Sequence, residues 1–364
     1  MNLQKLNLYY LQHGITFLSV ILIVMKCTNK YYTSDDFTRV KKIDAHVHID
    51  AETHYMIEQA LADNFRLLTI NTYTGGENSV FQQQAYALIQ KMAYPQQINY
   101  AATFSLEGWQ NNEWAGNCIE WLNQCVDQGA VAVKIWKNVG MQLQDQNGKY
   151  IMITHKKFIP ILEWLSENHI PLIAHLGEPK NCWLSLEQMT VNNDRNYFKE
   201  HPQYHMFLHP EMPSYEQQIA ARDSILRMYP DLKVIGCHLG SLEYDVDELA
   251  KRLDAYSNFA VDLAARICHL QFQALHNWTR VRDFCIKYQD RLIYGTDLSE
   301  GTAANPENLK QYVHSVWQKD WLFLTSDSIM TVSEVDGTFN GLKLPKTVID
   351  KIYNENVKKW IKGI

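Results

Sequence analysis

The hydrophobic pattern of this chain switches repeatedly between a short, strand-like run and a helical period, and those switches set its element order. Past residue 40, strand-like runs occupy residues 43–48, 65–71, 98–104, 130–136, 171–175, 232–238, 259–263 and 291–297. Several are almost continuously apolar, as parallel strands covered on both faces should be. Amphipathic helices alternate with them. Over 113–128, Trp114, Cys118, Trp121, Leu122 and Cys125 fall at helical spacing, and Gly129 is placed to end the helix. Residues 156–168 repeat the pattern with Phe158, Ile161, Leu162 and Leu165, and 243–256 with Val246, Leu249, Ala250 and Leu253. This alternation predicts an α/β chain folded as a (β/α)8 TIM barrel. A doubly wound open sheet is the competing architecture, but no glycine-rich dinucleotide fingerprint follows the first strand.

Two connections exceed the usual few residues: long loops after strands four and five. The first, 137–154, contains Asn147-Gly148 between short apolar runs and predicts a hairpin. The second, 176–214, is rich in Trp, Tyr, His, Met and Pro. Both leave the barrel end where active sites are built, so they are expected to wall or cover a pocket; an oligomer contact would have the same composition. Residues 345–362 predict a closing helix. The division expected is a signal-like or anchoring segment at 1–40 and one barrel domain at 41–364.

The 364 residues carry a formal charge of −6 with both signs interspersed, which argues against a nucleic-acid partner. Among seven cysteines there is no Cys-x-x-Cys pair, so free, buried thiols are expected, leaning towards a reducing compartment. The amino terminus points the other way. Residues 15–25 are an apolar run of signal-peptide length, ending at Lys26-Cys27. This resembles a bacterial lipoprotein signal, with Cys27 as the lipidated residue, although Lys26 stands where such signals carry a small residue. The expectation is export or membrane attachment on the periplasmic side; the alternative is a cytoplasmic protein with a packed helical extension.

The chemistry concentrates at strand ends. In the first strand, Ile43, Ala45 and Val47 are expected on one face and Asp44, His46 and His48 on the other, so two imidazoles can grip one ion. His175 closes strand five, His238 strand six and Asp297 strand eight, while Lys134 lies near the end of strand four. A single such residue is more often a packed histidine or a capping Asp. Together, at the carboxyl ends of separate strands, they point to a metal site. Glu178 and Arg266 follow strands five and seven and are candidate substrate contacts, as is Lys134; Asn71 and Tyr73 follow strand two. His209-Pro210-Glu211 is a weaker candidate, and Cys237 is expected to point away from the site into the core.

The segments IDAHVH, PLIAHLG, VIGCHLGS and LIYGTD, with IYNENVKKW near the end, resemble the amidohydrolase superfamily. Within it the match is to the amidohydrolase-related branch of aminocarboxymuconate-semialdehyde decarboxylase, resorcylate-type decarboxylases and dicarboxylate lactonases. The resemblance implies His46, His48, His175 and Asp297 as metal ligands, with His238 either a second-metal ligand or a partner of bound water. It implies one metal with Lys134 an unmodified cation facing substrate, or two metals if Lys134 is carbamylated. Such ligands suit Zn2+ best, with Mn2+ or Fe2+ tolerated. Asp297 would move the proton of an activated water and His238 would orient it, hydrolysing an amide, lactone or similar bond of a small, carboxylate-bearing substrate. A metal-dependent decarboxylase or hydratase is the second expectation and a non-catalytic ligand-binding barrel the third. Oligomeric state is open.

Overall fold

A computed structural model of the chain describes residues 30–73, 75 and 80–364. The apolar run at 15–25 and Cys27 lie outside the described residues. Among those described, no helix is long and apolar enough to cross a membrane.

The predicted runs become short strands: β1 (Lys42–Asp50), β2 (Phe65–Ile70), β3 (Ile98–Ala102), β4 (Ala132–Ile135), β5 (Leu172–Ala174), β6 (Val234–Gly236) and β7 (Phe259–Asp262). The eighth is split into β8 (Leu292–Ile293) and β9 (Leu298–Gly301). Sequential neighbours from β1 to β8 pair in parallel, and β9 pairs in parallel with β1. The two halves of the last strand therefore close the cylinder, with the Ala45 amide donating to the Tyr294 carbonyl at 3.0 Å and the Asp297 amide to the His46 carbonyl at 2.7 Å. The closure depends on Gly295, where a Cβ would lie 2.8 Å from that of His46. The fold is the expected TIM barrel.

Helices cover the outside: α1 (Tyr55–Ala62), α2 (Val80–Ala93), α3 (Trp114–Asp127), α4 (Ile159–Glu167), α5 (Asn192–Glu200), α6 (Tyr215–Met228), α7 (Val246–Ala255), α8 (Ile267–Lys287) and α9 (Pro306–Thr325). Their apolar stripes and the outward strand residues, such as Val47, Leu67, Leu122 and Leu165, make the outer core. A second, inner core fills the barrel with Ile43, Ala45, Leu68 and Ile173. The closing segment plugs its lower end: Val357 and Trp360 join the inner core, and Asn356 Nδ2 donates to the Leu292 carbonyl at 2.7 Å.

Strand β1 departs from simple alternation. Asp44 pairs with Leu67 but Val47 with Thr69, so one extra residue is bulged into β1 between them. The bulge shifts the phase. Ile43 and Ala45 face the barrel interior, Val47 faces the outer helices, and Asp44 turns outward to accept from Trp317 Nε1 at 2.8 Å. The expected grouping of Ile43, Ala45 and Val47 on one face is thereby corrected.

The loop after β4 holds the expected turn: Gln144 bridges Tyr150 and the Gly148 amide donates to the Asp145 carbonyl at 3.0 Å. The long segment after β5 builds α5 and several 3-10 turns around a small core of Cys182, Met189, Phe198 and Met206. A hairpin of β10 (Ile329–Val332) and β11 (Val335–Asn340) was not anticipated. Only Val335 and Phe339 of β11 are buried, four residues apart, so no period of two was there to read. Its turn braces α5, the Asn192 amide donating to the Glu334 carbonyl at 2.8 Å.

Candidate metal centre

Three of the barrel's strand ends turn left-handed at the open mouth: His238 (φ 59°), Ala265 (φ 53°) and Asp297 (φ 69°). For residues other than glycine this costs about 1–2 kcal/mol each, and such strain gathers where side chains must be aimed. At β6 the turn continues through Leu239 and Ser241. It aims Cys237 and His238 into the same interior, so the expectation that Cys237 points away from the site is corrected. The thiol is in the inner core and accepts from Lys134 Nζ at 2.8 Å.

Each of three imidazoles gives its Nδ1 proton to a group that can only accept. His46 Nδ1 meets Asp262 Oδ2 at 2.8 Å, His48 Nδ1 the Ile70 carbonyl at 2.7 Å and His238 Nδ1 the Ala264 carbonyl at 2.9 Å. That fixes their tautomers and leaves Nε2 of each ring as a lone pair. Two of these atoms face one carboxylate oxygen: His46 Nε2 lies 3.3 Å and His48 Nε2 3.1 Å from Asp297 Oδ1. Donor atoms of His46, His238 and Asp297 all fall within 4.8 Å of one another. His175 stands beside them, its ring centroid 4.3 Å from that of His238, while its Nε2 is 3.4 Å from Glu178 Oε2.

Burial first, and the nearby Lys134 second, holds the His46 imidazole below its usual range. Burial does the same to His238, and lowers His175 to about 4. Burial pushes the Asp297 carboxyl up, but the imidazoles of His238, His48 and His46 outweigh it and hold it well below the usual range. A third of that side chain is exposed at the mouth. Burial thus favours the neutral imidazole at His46, His175 and His238, and Asp297 is ionised beside them.

The other candidates are placed as follows. Lys134 is fully buried beneath the imidazoles, bonded to Cys237. Glu178 is ion-paired with Lys137, and although burial alone would raise its pKa, Lys137 and His175 bring it down to about 2. Lys137 is capped by the insertion, its Nζ 4.8 Å from the centre of the Tyr204 ring. Arg266 Nη1 is 3.9 Å from Asp194 Oδ1 on α5, and its Nε has no hydrogen-bond partner. Asn71 bonds Gln84 at 3.3 Å, and the Tyr73 carbonyl accepts from Asn138. The insertion histidines are not at the centre: His201, His205 and His209 bond the carbonyls of Tyr197, Leu184 and Pro202. Two buried residues at the site had not been singled out, Asp262 and Lys137. Asp262 closes an apolar strand just as His175, His238 and Asp297 close theirs, which was the available signal.

These donors fit a divalent ion. Ligands of a tetrahedral centre with bonds of about 2.0–2.1 Å lie about 3.3 Å apart, which is the spacing of His46 and His48 from Asp297. A closed parallel barrel carrying imidazoles and an aspartate at its carboxyl-terminal mouth is the architecture of a metal-dependent enzyme. The family model described as Amidohydrolase matches residues 43–360, and the chain belongs to this family. It is a divalent-metal-dependent enzyme.

No curated protein matches the chain. Among solved structures it is similar to 2,6-dihydroxybenzoate decarboxylase from Rhizobium (TM-score 0.48, 13% identity, covering 88% of this chain and 98% of that one). A probable 2-pyrone-4,6-dicarboxylic acid hydrolase from Acinetobacter baumannii gives TM-score 0.46 at 12% identity, over 88% and 99% of the two chains. The 4-oxalomesaconate hydratase of Rhodopseudomonas palustris gives 0.45 at 12%, over 87% and 94%.

Proposed function

We propose that this protein is a hydrolase that opens an amide, lactone or similar carbonyl bond in a small carboxylate-bearing substrate, using one Zn2+. One observation carries the reading. Two imidazole lone pairs and a carboxylate oxygen face each other at 3.1–3.3 Å after both rings have given their Nδ1 protons away. Like-signed partial charges at that distance repel unless a cation lies among them. His46, His48 and Asp297 would hold it with His175 as the further donor, leaving His238 to face the reacting water. Bound there, a divalent ion supplies Lewis acidity and lowers the pKa of water to about 7.

The residues of the chain supply the rest. Asp297 is ionised and partly exposed, so it can take a proton from the attacking water and return it to the leaving group. His238, its Nδ1 tied to the Ala264 carbonyl, keeps its Nε2 lone pair turned to the site, where it can accept a hydrogen bond from water and so orient it. Arg266 supports an anionic substrate, since its Nε is unpartnered and its nearest carboxylate oxygen is 3.9 Å away. Lys134 and Glu178 would act on substrate charge indirectly, through Cys237 and Lys137.

The test is a panel of carboxylate-bearing lactones, amides and aromatic acids given to the zinc-loaded protein, following acid release and trapped carbon dioxide separately. Acid release without carbon dioxide is expected. Carbon dioxide without hydrolysis would overturn the hydrolase reading in favour of a lyase.

A further inference from the structure

We propose that Asp262 is the positioning residue of the metal centre, one carboxylate that sets both the ring of His46 and the backbone turn carrying His238. The inference rests on the metal-dependent reading above. Asp262 closes β7 and is 2% exposed. Its Oδ2 accepts from His46 Nδ1 at 2.8 Å, across the barrel mouth on β1. Its Oδ1 accepts from the His238 amide at 2.7 Å and from the Ala264 amide at 3.2 Å. Three strands thus meet on one side chain.

The two oxygens do different things. Oδ1 holds the amide at the first left-handed residue of the β6 turn, and Ala264, which it also holds, supplies the carbonyl that fixes the His238 ring. Oδ2 selects the His46 tautomer. His48 and His238 have their Nδ1 protons taken by neutral carbonyls, whereas that of His46 goes to a carboxylate. A carboxylate behind an imidazole raises its basicity as a ligand and locks its orientation. Asp262 is not itself arranged as a ligand, because both oxygens are already engaged. His46, Cys237 and Asp262 do cluster closely, but the amine of Lys134 already sits against the Cys237 sulfur.

Asp262→Asn separates these roles. The amide oxygen can still accept from the two backbone amides, but the NH2 now faces His46 Nδ1. That ring must then carry its proton on Nε2, the atom aimed at Asp297. Zn2+ affinity is measured by competition with a chromophoric chelator in wild type and Asp262→Asn. The urea midpoint of each metal-free protein is measured alongside, with the His46 tautomer read by 15N NMR. Zn2+ binding is expected to weaken by about 10–100-fold, the midpoint to hold, and His46 to switch from Nδ1–H to Nε2–H. Wild-type affinity in Asp262→Asn would overturn the proposal, as would an affinity loss matched by the fall in midpoint, which is the mark of a structural role only. Failure of wild type to bind Zn2+ would sink the zinc assignment instead. The NMR arm then still decides Asp262: Nε2–H at His46 in wild type would overturn its role.

Discussion

Two polar clusters sit within reach of each other at the mouth of this barrel, and they are built on opposite principles. In the roof formed by the segment after β5, the buried carboxylates have partners: Glu178 pairs with Lys137, and Asp194 accepts from Asn181 at 2.9 Å and lies 3.0 Å from His269. In the centre below, lone pairs of His46 and His48 meet the ionised Asp297. The roof is complete as protein. The centre is complete only with a cation, because buried polar groups left without partners are costly. Burial and ionisable side chains are common to both, so a count of charged residues would not tell them apart. The direction of each proton does.

The largest effect expected from breaking this contrast is at Asp297. Asp297→Asn removes the proton acceptor and should lower kcat by about 10²–10⁴-fold, read by steady-state kinetics on any substrate the panel identifies. Wild-type turnover in that variant would remove Asp297 from proton transfer. His46→Ala and His48→Ala should instead lower metal occupancy, read by elemental analysis after gel filtration.

The roof should break differently. Glu178→Gln leaves the Lys137 ammonium buried without its partner, and removing one member of a buried pair costs about 3–5 kcal/mol, measurable by urea unfolding at pH 7. The pH dependence has a definite sign. Glu178 is lowered in the folded protein to about 2 from a usual 4.5, so its contribution is full above 4.5 and is lost as the pH falls towards 2. The gap between wild type and Glu178→Gln should narrow over that window. A gap that widens with acid would contradict the pairing.

The smallest effect is expected in the outer insertion. His209 bonds the Pro202 carbonyl near the surface, so His209→Ala should change stability by no more than about 0.5 kcal/mol and leave metal content untouched. A loss of metal there would mean that the roof contributes a ligand.

The barrel was legible in the sequence because parallel strands covered on both faces leave short apolar runs, and here these alternate with amphipathic helical periods. The candidate centre's residues were legible for a related reason: one His or Asp ending such a run is more often packed or capping, but their recurrence at the ends of separate strands is not explained by packing. What stayed hidden was phase and partnership. The β1 bulge moves Val47 to the outer core and cannot be read from alternation, since it needs the register of β2. The left-handed turn at His238 brings Cys237 into the inner core with the same loss of period. Lys137 becomes meaningful only once Glu178 is known to lie against it, whereas Asp262 stood at a strand end and only its partner His46 was hidden. The β10–β11 hairpin carried too few buried positions to betray itself.

The central claim is that side chains distant along the chain share one divalent ion. Anomalous diffraction at the absorption edge of the metal found by elemental analysis tests it most directly. One ion per chain is predicted, about 2.0–2.2 Å from His46 Nε2, His48 Nε2 and an Asp297 oxygen. Protein with no stoichiometric metal, or an ion bound elsewhere with these three side chains apart from it, would contradict the account.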